Sequence, residues 1–169
     1  MLIREENEKD YVKIRQLVKD AFSTCPHSDG SEYILIDKLR KSSGFIKQLT
    51  QVAIQDNNIV GHIMCTEVKI GKEIGIAIAP LSVLVEKQRQ GIGKMLLEDT
   101  HKKALSLGYR ISIVLGSEEY YPKFGYLKAS DFEIKSPFEV PEENYRVLFL
   151  DNVKRNISGT VEYVKELQI

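Results

Sequence analysis

Apolar positions along the chain follow different periods, and each change of period marks an element. Leu2 to Arg4 reads as a short opening strand. From Asp10 to Phe22 the residues Ile14, Leu17, Val18 and Ala21 recur at helical spacing, with Asn7 or Asp10 placed to cap the helix. Ser23 to Ser31, with Pro26 and Gly30, reads as a loop, and Glu32 to Arg40 as a second short helix with Leu35 and Leu39 on one side. Gln51 to Gln55 and Ile59 to Val68 are strand-like and flank Asp56-Asn57-Asn58, a good hairpin turn. After a second turn at Gly71-Lys72, Glu73 to Val85 has the composition of a strand buried on both faces. The period then returns to helical through Ile92, Leu96, Thr100, Ala104 and Leu107, with Gly108 as the stop. Tyr109 to Leu115 is a further apolar strand. The tail from Phe132 alternates strands and turns, clearest at Tyr145 to Leu150 and Thr160 to Val164. This order describes an α/β domain with one βαβ unit, from Ile74 to Leu115, inside a mainly antiparallel sheet. No linker, repeat or low-complexity stretch divides the chain, so residues 1–169 are read as one domain.

Composition narrows the classes. At 169 residues, 43% hydrophobic and 28% charged, the chain can bury a proper core. Lysine plus arginine and aspartate plus glutamate both total 24, which argues against non-specific nucleic-acid binding. Cys25 and Cys65 give neither a disulfide framework nor a zinc knuckle, and no set of side chains has metal-ligand spacing. The charged N-terminus lacks a signal core, and no apolar run approaches the roughly 20 residues that span a bilayer. A soluble cytoplasmic protein with reduced thiols, using no membrane, fits these facts.

The chemistry concentrates in Gln88-Arg89-Gln90-Gly91-Ile92-Gly93-Lys94, between a buried strand and an amphipathic helix. Two glycines permit close backbone approach, and the helix points free N–H groups and the positive end of its dipole at the loop. A pyrophosphate suits that environment, and Arg89 or Lys94 adds charge. A glycine-bearing turn without a ligand is the plain alternative. A Walker loop is excluded, because Gln88 stands where it needs glycine and Met95 where it needs Ser or Thr. A dinucleotide fingerprint from Gly91 is excluded by Leu96.

The remaining pattern, Gln-x-x-Gly-x-Gly before an amphipathic helix, resembles the pyrophosphate loop of the GNAT superfamily of N-acetyltransferases. Pro80-Leu81-Ser82-Val83 resembles the end of that family's fourth strand, and Tyr120 to Tyr126 its Tyr-x-x-x-Gly-Phe segment. Gly61-His62-Ile63 fits the third strand and Ile3-Arg4 the first. Leu115-Gly116, the double tyrosine and Gly159 to Tyr163 are similar to one bacterial subgroup of predicted acetyltransferases. The chain departs from the pattern at Leu84-Val85, where a residue and proline usually introduce the loop, and at Ser117-Glu118-Glu119, where His or Asp with Pro is typical.

The resemblance implies a GNAT-like fold, a twisted, mixed and mostly antiparallel sheet flanked by helices, whose strands at Pro80 to Val83 and Arg110 to Leu115 splay around the cofactor. It implies transfer of an acetyl group from acetyl-CoA to a primary amine by direct attack; a non-catalytic acyl-CoA sensor is the alternative. Leu81, Ser82 and Val83 would meet the pantetheine arm and thioester, and Gln88, Arg89, Gln90, Gly91, Ile92, Gly93 and Lys94 the pyrophosphate. Tyr121, a phenol protonated at neutral pH, is the candidate acid for the leaving thiolate, with Tyr120 its neighbour. Glu67 is the candidate base, directly or through water, with His62 and a water wire at Ser82 as other options. His27 and Asp29 are placed against the acceptor, together with the late hairpin around Pro137 to Asn144, and His101 on an exposed helix face. Acetyl-CoA and an amine are the expected partners, with no metal; a homodimer is left open.

Overall fold

In the computed structural model, which describes residues 1–26 and 28–167, the alternating segments assemble into a seven-stranded sheet of order β1-β2-β3-β4-β5-β8-β6. The strands are β1 (Leu2–Glu5), β2 (Gln51–Gln55), β3 (Asn58–Ile70), β4 (Glu73–Val83), β5 (Ile111–Leu115), β6 (Leu127–Lys128) and β8 (Tyr145–Phe149). Only β4 and β5 pair in parallel; every other neighbour is antiparallel. A separate parallel pair joins β7 (Ile134–Lys135) to β9 (Gly159–Thr160). The helices are α1 (Tyr11–Phe22), α2 (Glu32–Arg40) and α3 (Ile92–Ser106). Among the described residues no helix is long and apolar enough to cross a membrane.

Period-2 alternation assigns each strand's side chains to one of two layers. Ile14, Leu17 and Val18 of α1 and Ile36 and Leu39 of α2 pack on Val52 and Met64. Ile92, Leu96, Leu97 and Ala104 of α3 pack on the other face, against Ile63, Cys65, Ile76 and Ile78. A third cluster, built on Ile111, Ile113, Val147 and Phe149, is closed by Ile134, Ile157 and Val161 from the tail.

Local chemistry explains the element ends. Asp56 and Asn57 both have positive φ, 50° and 64°, as the two-residue hairpin between β2 and β3 requires. Asn7 caps the short turn that opens α1, its side chain accepting from the Lys9 N–H while Asp10 accepts from the Asn7 N–H. Asp10 is bound to Arg4 at 2.7 and 3.0 Å, so Asn7 is the cap.

Some boundaries differ from the sequence expectation. β4 stops at Val83, because Leu84 bends the chain into a short turn at Val85–Lys87. β5 begins at Ile111 rather than Tyr109. The alternation across Thr160 to Val164 comes from Val161 packing in the tail cluster; only Gly159–Thr160 is a strand, and Glu162 makes a lone bridge to Lys69.

Gly61 sets how closely α3 approaches the sheet. A Cβ there would lie 2.9 Å from Ile92 Cγ2 and 3.0 Å from Leu96 Cδ1. Gly61→Val should therefore lever out the first turns of α3 and cost roughly 1–3 kcal/mol in urea unfolding. An unchanged unfolding midpoint would show that the helix sits less tightly than this contact requires.

Candidate active site

β4 and β5 pair at only three positions, Ile76–Ser112, Ala77–Ile113 and Ile78–Val114. Beyond Ile78, β4 runs on to Val83 while β5 diverges. The cause lies on the opposite edge of β4. Between the pairs Ile63–Leu81 and Cys65–Ile78, two residues of β4, Ala79 and Pro80, oppose the single Met64 of β3. Such a bulge bends its strand and increases local twist, turning the end of β4 away from β5.

The splay leaves one edge of β4 without a strand. The Leu84 N–H donates to the Val60 carbonyl at 3.0 Å, so by antiparallel alternation Ser82 and Leu84 turn their backbone groups to β3. Leu81 and Val83 turn theirs into the splay. The Val83 carbonyl is already used, accepting from the Gln88 amide at 3.1 Å. Gln90 likewise donates to the Glu86 carbonyl at 3.2 Å. Both glutamine side chains therefore brace the loop itself.

The loop ends at the mouth of the splay. Arg89 and Gly91 have positive φ, 62° and 85°, which folds the chain tightly into α3. The first helical bond of α3 runs from the Met95 N–H to the Gly91 carbonyl at 3.0 Å, and no side chain caps the helix. The N–H groups of Ile92, Gly93 and Lys94 thus lack helical partners and concentrate positive potential there. A Cβ on Gly91 would meet nothing within 4 Å. Lys94 leans along α3 toward Glu98, 3.9 Å away. With Glu98, His101, Lys123 and Phe124 it lines a cavity of about 500 Å³ on the flank of the helix.

The two tyrosines occupy different ends of the splay. Tyr120 lies across the first turn of α3, where a Cβ on Gly93 would be 2.4 Å from its hydroxyl. Tyr121 packs its ring on Gly116, just past the end of β5, and edge-on to Tyr120 and Tyr126 at 5.2 and 5.6 Å. Gly116 is held from its other side by Asn144, through two hydrogen bonds of 2.9 Å. Burial pushes both phenols above their ordinary range, so both stay protonated donors. Neither hydroxyl has a hydrogen-bond partner among the described residues.

Other expected residues fall elsewhere. Glu67 lies opposite Ile76, in the closed part of the sheet, and accepts from the Tyr109 hydroxyl at 2.5 Å. It stands two residues, roughly 7 Å of strand, below the last β4–β5 pair. His101 is mostly buried rather than on an exposed face. Its Nε2 is hydrogen-bonded to the Tyr126 hydroxyl at 2.8 Å, and Ser112 contacts the same hydroxyl at 2.8 Å. Burial lowers this histidine to about 4, because the charged form would lose its water. Asp29 is exposed and accepts from the Ser31 N–H and hydroxyl at 2.9 and 2.6 Å. His27 lies outside the described residues. Among the described residues no group of three or more His, Cys, Asp or Glu could hold a metal ion.

One cluster has no sequence signature. Glu6 is buried and accepts from Arg40 Nε at 2.8 Å and Nη2 at 2.9 Å, with His62 Nε2 3.0 Å from its second oxygen. Glu6 sits in a run of exposed charges, and Arg40 ends an ordinary amphipathic helix. Only the tertiary approach of residues 34 and 56 positions apart reveals the network.

The splay and the loop at its mouth both lie within a stretch of the chain that matches a known family. The model of the acetyltransferase (GNAT) family matches residues 11–126. The chain belongs to the GNAT acetyltransferase family. Among its relatives is the uncharacterized N-acetyltransferase YhbS of Escherichia coli, 25% identical over 166 residues and 96% of each chain. Another E. coli relative, the uncharacterized N-acetyltransferase YjhQ, is 27% identical over 82% of this chain and 76% of its own. The crystal structure of E. coli YhbS in complex with CoA superposes with a TM-score of 0.89, covering 99% of this chain and 92% of that one at 24% identity. A GNAT family acetyltransferase from Brucella melitensis in complex with acetyl-CoA gives 0.79, at 27% identity over 96% and 94% of the two chains.

In this GNAT chain His101 ties α3 to Tyr126, and its burial makes stability depend on pH. Its folded pKa of about 4 lies below the ordinary 6.5, so its contribution is complete above pH 6.5 and is lost as pH falls toward 4. The loss should be on the order of 1–3 kcal/mol in urea unfolding compared between those pH values. His101→Gln should show a shallower decline across the same window; an identical decline would show that other groups carry it.

Proposed function

We propose that the chain transfers the acetyl group of acetyl-CoA to a primary amine by direct attack. The observation that carries this reading is the open edge of β4 ending beside the uncapped N-terminus of α3. An extended pantetheine arm matches the free backbone groups of Leu81 and Val83, as an added strand would. The pyrophosphate matches the free N–H groups of Ile92, Gly93 and Lys94, with Arg89 near. The CoA and acetyl-CoA complexes of the superposed relatives support this use of the same fold.

In the transfer, the amine nitrogen bonds to the acetyl carbon, the C–S bond breaks, and the thiolate takes a proton. Tyr121 is the donor in this reading. It stands at Gly116, near the last β4–β5 pair, whereas the Tyr120 hydroxyl lies at the phosphate end by Gly93. Its raised pKa keeps the proton available at neutral pH. Glu67 is a poor base by comparison, with its carboxylate engaged by Tyr109 below the splay.

Acetyl-CoA should raise the melting temperature of the wild type, since a ligand at about 100 times its dissociation constant stabilises by roughly 2.7 kcal/mol. Gly91→Val should fold, because nothing crowds that position, yet lose the shift, because its bulk fills the phosphate space and strains φ. A folded Gly91→Val protein with undiminished affinity would remove the loop from the site.

Tyr121→Phe should lower kcat about 10²-fold, the lower end for a general acid because a thiolate is already a fair leaving group. Acetyl-CoA affinity should stay within a few-fold, because the hydroxyl acts on charge that develops during transfer. Tyr120→Phe should be mild. Inverted results would assign the acid to Tyr120, and two fully active variants would leave the thiolate to depart unassisted.

A further inference from the structure

The buried charges beneath α2 lead, residue by residue, to the strand that borders the splay. Arg40 is fixed by Asp37 at 2.9 Å and lies 3.9 Å over the Tyr11 ring. It holds Glu6 with two hydrogen bonds. Burial alone would raise the Glu6 carboxyl, but the hydrogen bonds from Arg40 and His62 outweigh it and keep the group ionised. An ionised carboxylate only accepts, so the His62 nitrogen facing it, Nε2, carries the ring proton. Complete burial keeps the imidazole otherwise neutral. Nδ1 therefore presents a lone pair, and it has no hydrogen-bond partner.

His62 stands directly opposite Ser82 in the β3–β4 register, and Ser82 lies between Leu81 and Val83. The Ser82 hydroxyl is also buried and without a partner. Directly opposed residues hold their Cβ atoms roughly 4.5–5.5 Å apart on the same face. No direct hydrogen bond joins the two side chains, and proton exchange between them needs one bridging water. Two unpaired buried polar groups are a cost that an apolar pair would not carry, and a purely structural Arg40–Glu6 clamp needs neither of them.

We propose that His62 is the proton acceptor of the transfer, receiving through Ser82 the proton that the attacking amine loses, with Glu6 and Arg40 fixing its tautomer. This rests on the N-acetyltransferase reading. One proton moves along the line. The amine N–H breaks toward Ser82 Oγ, the Ser82 proton passes to a bridging water that gives its own to His62 Nδ1, and Glu6 stabilises the imidazolium without being protonated. Tyr121 supplies the thiol proton, and exchange with solvent restores both groups, so amine and thioester become amide and thiol with no net change in protons.

The test uses the full chain and a panel of primary amines, with thiol release as the readout. The groups facing His62 are Glu6 before α1, Asp10 at the start of α1, Arg40 of α2 and Ser82 of β4, and on β2 the apolar Val52 stands opposite it. A base must be neutral to act, so wild-type kcat should fall as pH drops through the His62 pKa, which lies below 6.5. His62→Gln should cut kcat about 10²-fold and abolish that acid limb, with the acetyl-CoA melting shift retained. Ser82→Ala, a small change in a buried strand, should lower kcat while keeping the limb. Nitrogen NMR of the labelled wild type at pH 8 should show His62 protonated on Nε2 and bare on Nδ1. An Nδ1–H tautomer, or an acid limb that survives in His62→Gln, overturns the proposal alone. A wild type that binds acetyl-CoA but acetylates no amine overturns it together with the transferase reading.

Discussion

Backbone hydrogen bonding in β4 is the constraint from which the site follows. A strand buried in a sheet must satisfy donors and acceptors on both edges. From Ile76 to Ile78 this one does, with β3 on one side and β5 on the other. The bulge at Ala79 and Pro80 then removes β5 while β3 remains. Leu81 and Val83 keep groups that only a loop side chain, solvent or a ligand can meet. Gln88 meets one of them, and the rest define a slot with the polarity of an extended chain.

Neighbouring features shape that slot. Gly61 lets α3 settle against β3, which brings its free N–H groups to the slot's open end. Gly116 admits the Tyr121 ring where β5 turns away, and Asn144 pins the Gly116 backbone from behind. Tyr126, bonded to His101 and Ser112, braces the same segment against α3 and β5. Apart from the local Gly116–Tyr121 contact, these link elements distant in sequence, so the geometry of the slot depends on the whole sheet. On the opposite face, the Arg40–Glu6–His62 line ties α2 to β3 through charges that burial would otherwise make unfavourable.

Much of the fold was legible because hydrophobic period reports which faces are buried. The strands β2 and β3, the helices and the βαβ unit all follow from period changes, and the loop before α3 from its glycines. The limits were physical as well. Alternation at Val161 and Tyr163 signals burial of one face, which a chain lying on a core satisfies without a ladder partner. His101 sits on a helix whose charged neighbours implied solvent, yet Tyr126 folds over it. Glu67 shares a strand with the site, but only the register shows it below the splay.

The sequence by itself determined the order of elements, the anion-suited loop and the family, because these depend on local spacing and residue type. Tertiary structure decided where β4 and β5 part, which tyrosine stands at which end of the slot, and that Glu6, Arg40 and His62 meet. The reason is that strand register and burial are set by pairings between residues tens of positions apart. A buried carboxylate and an exposed one are the same letter until those pairings form.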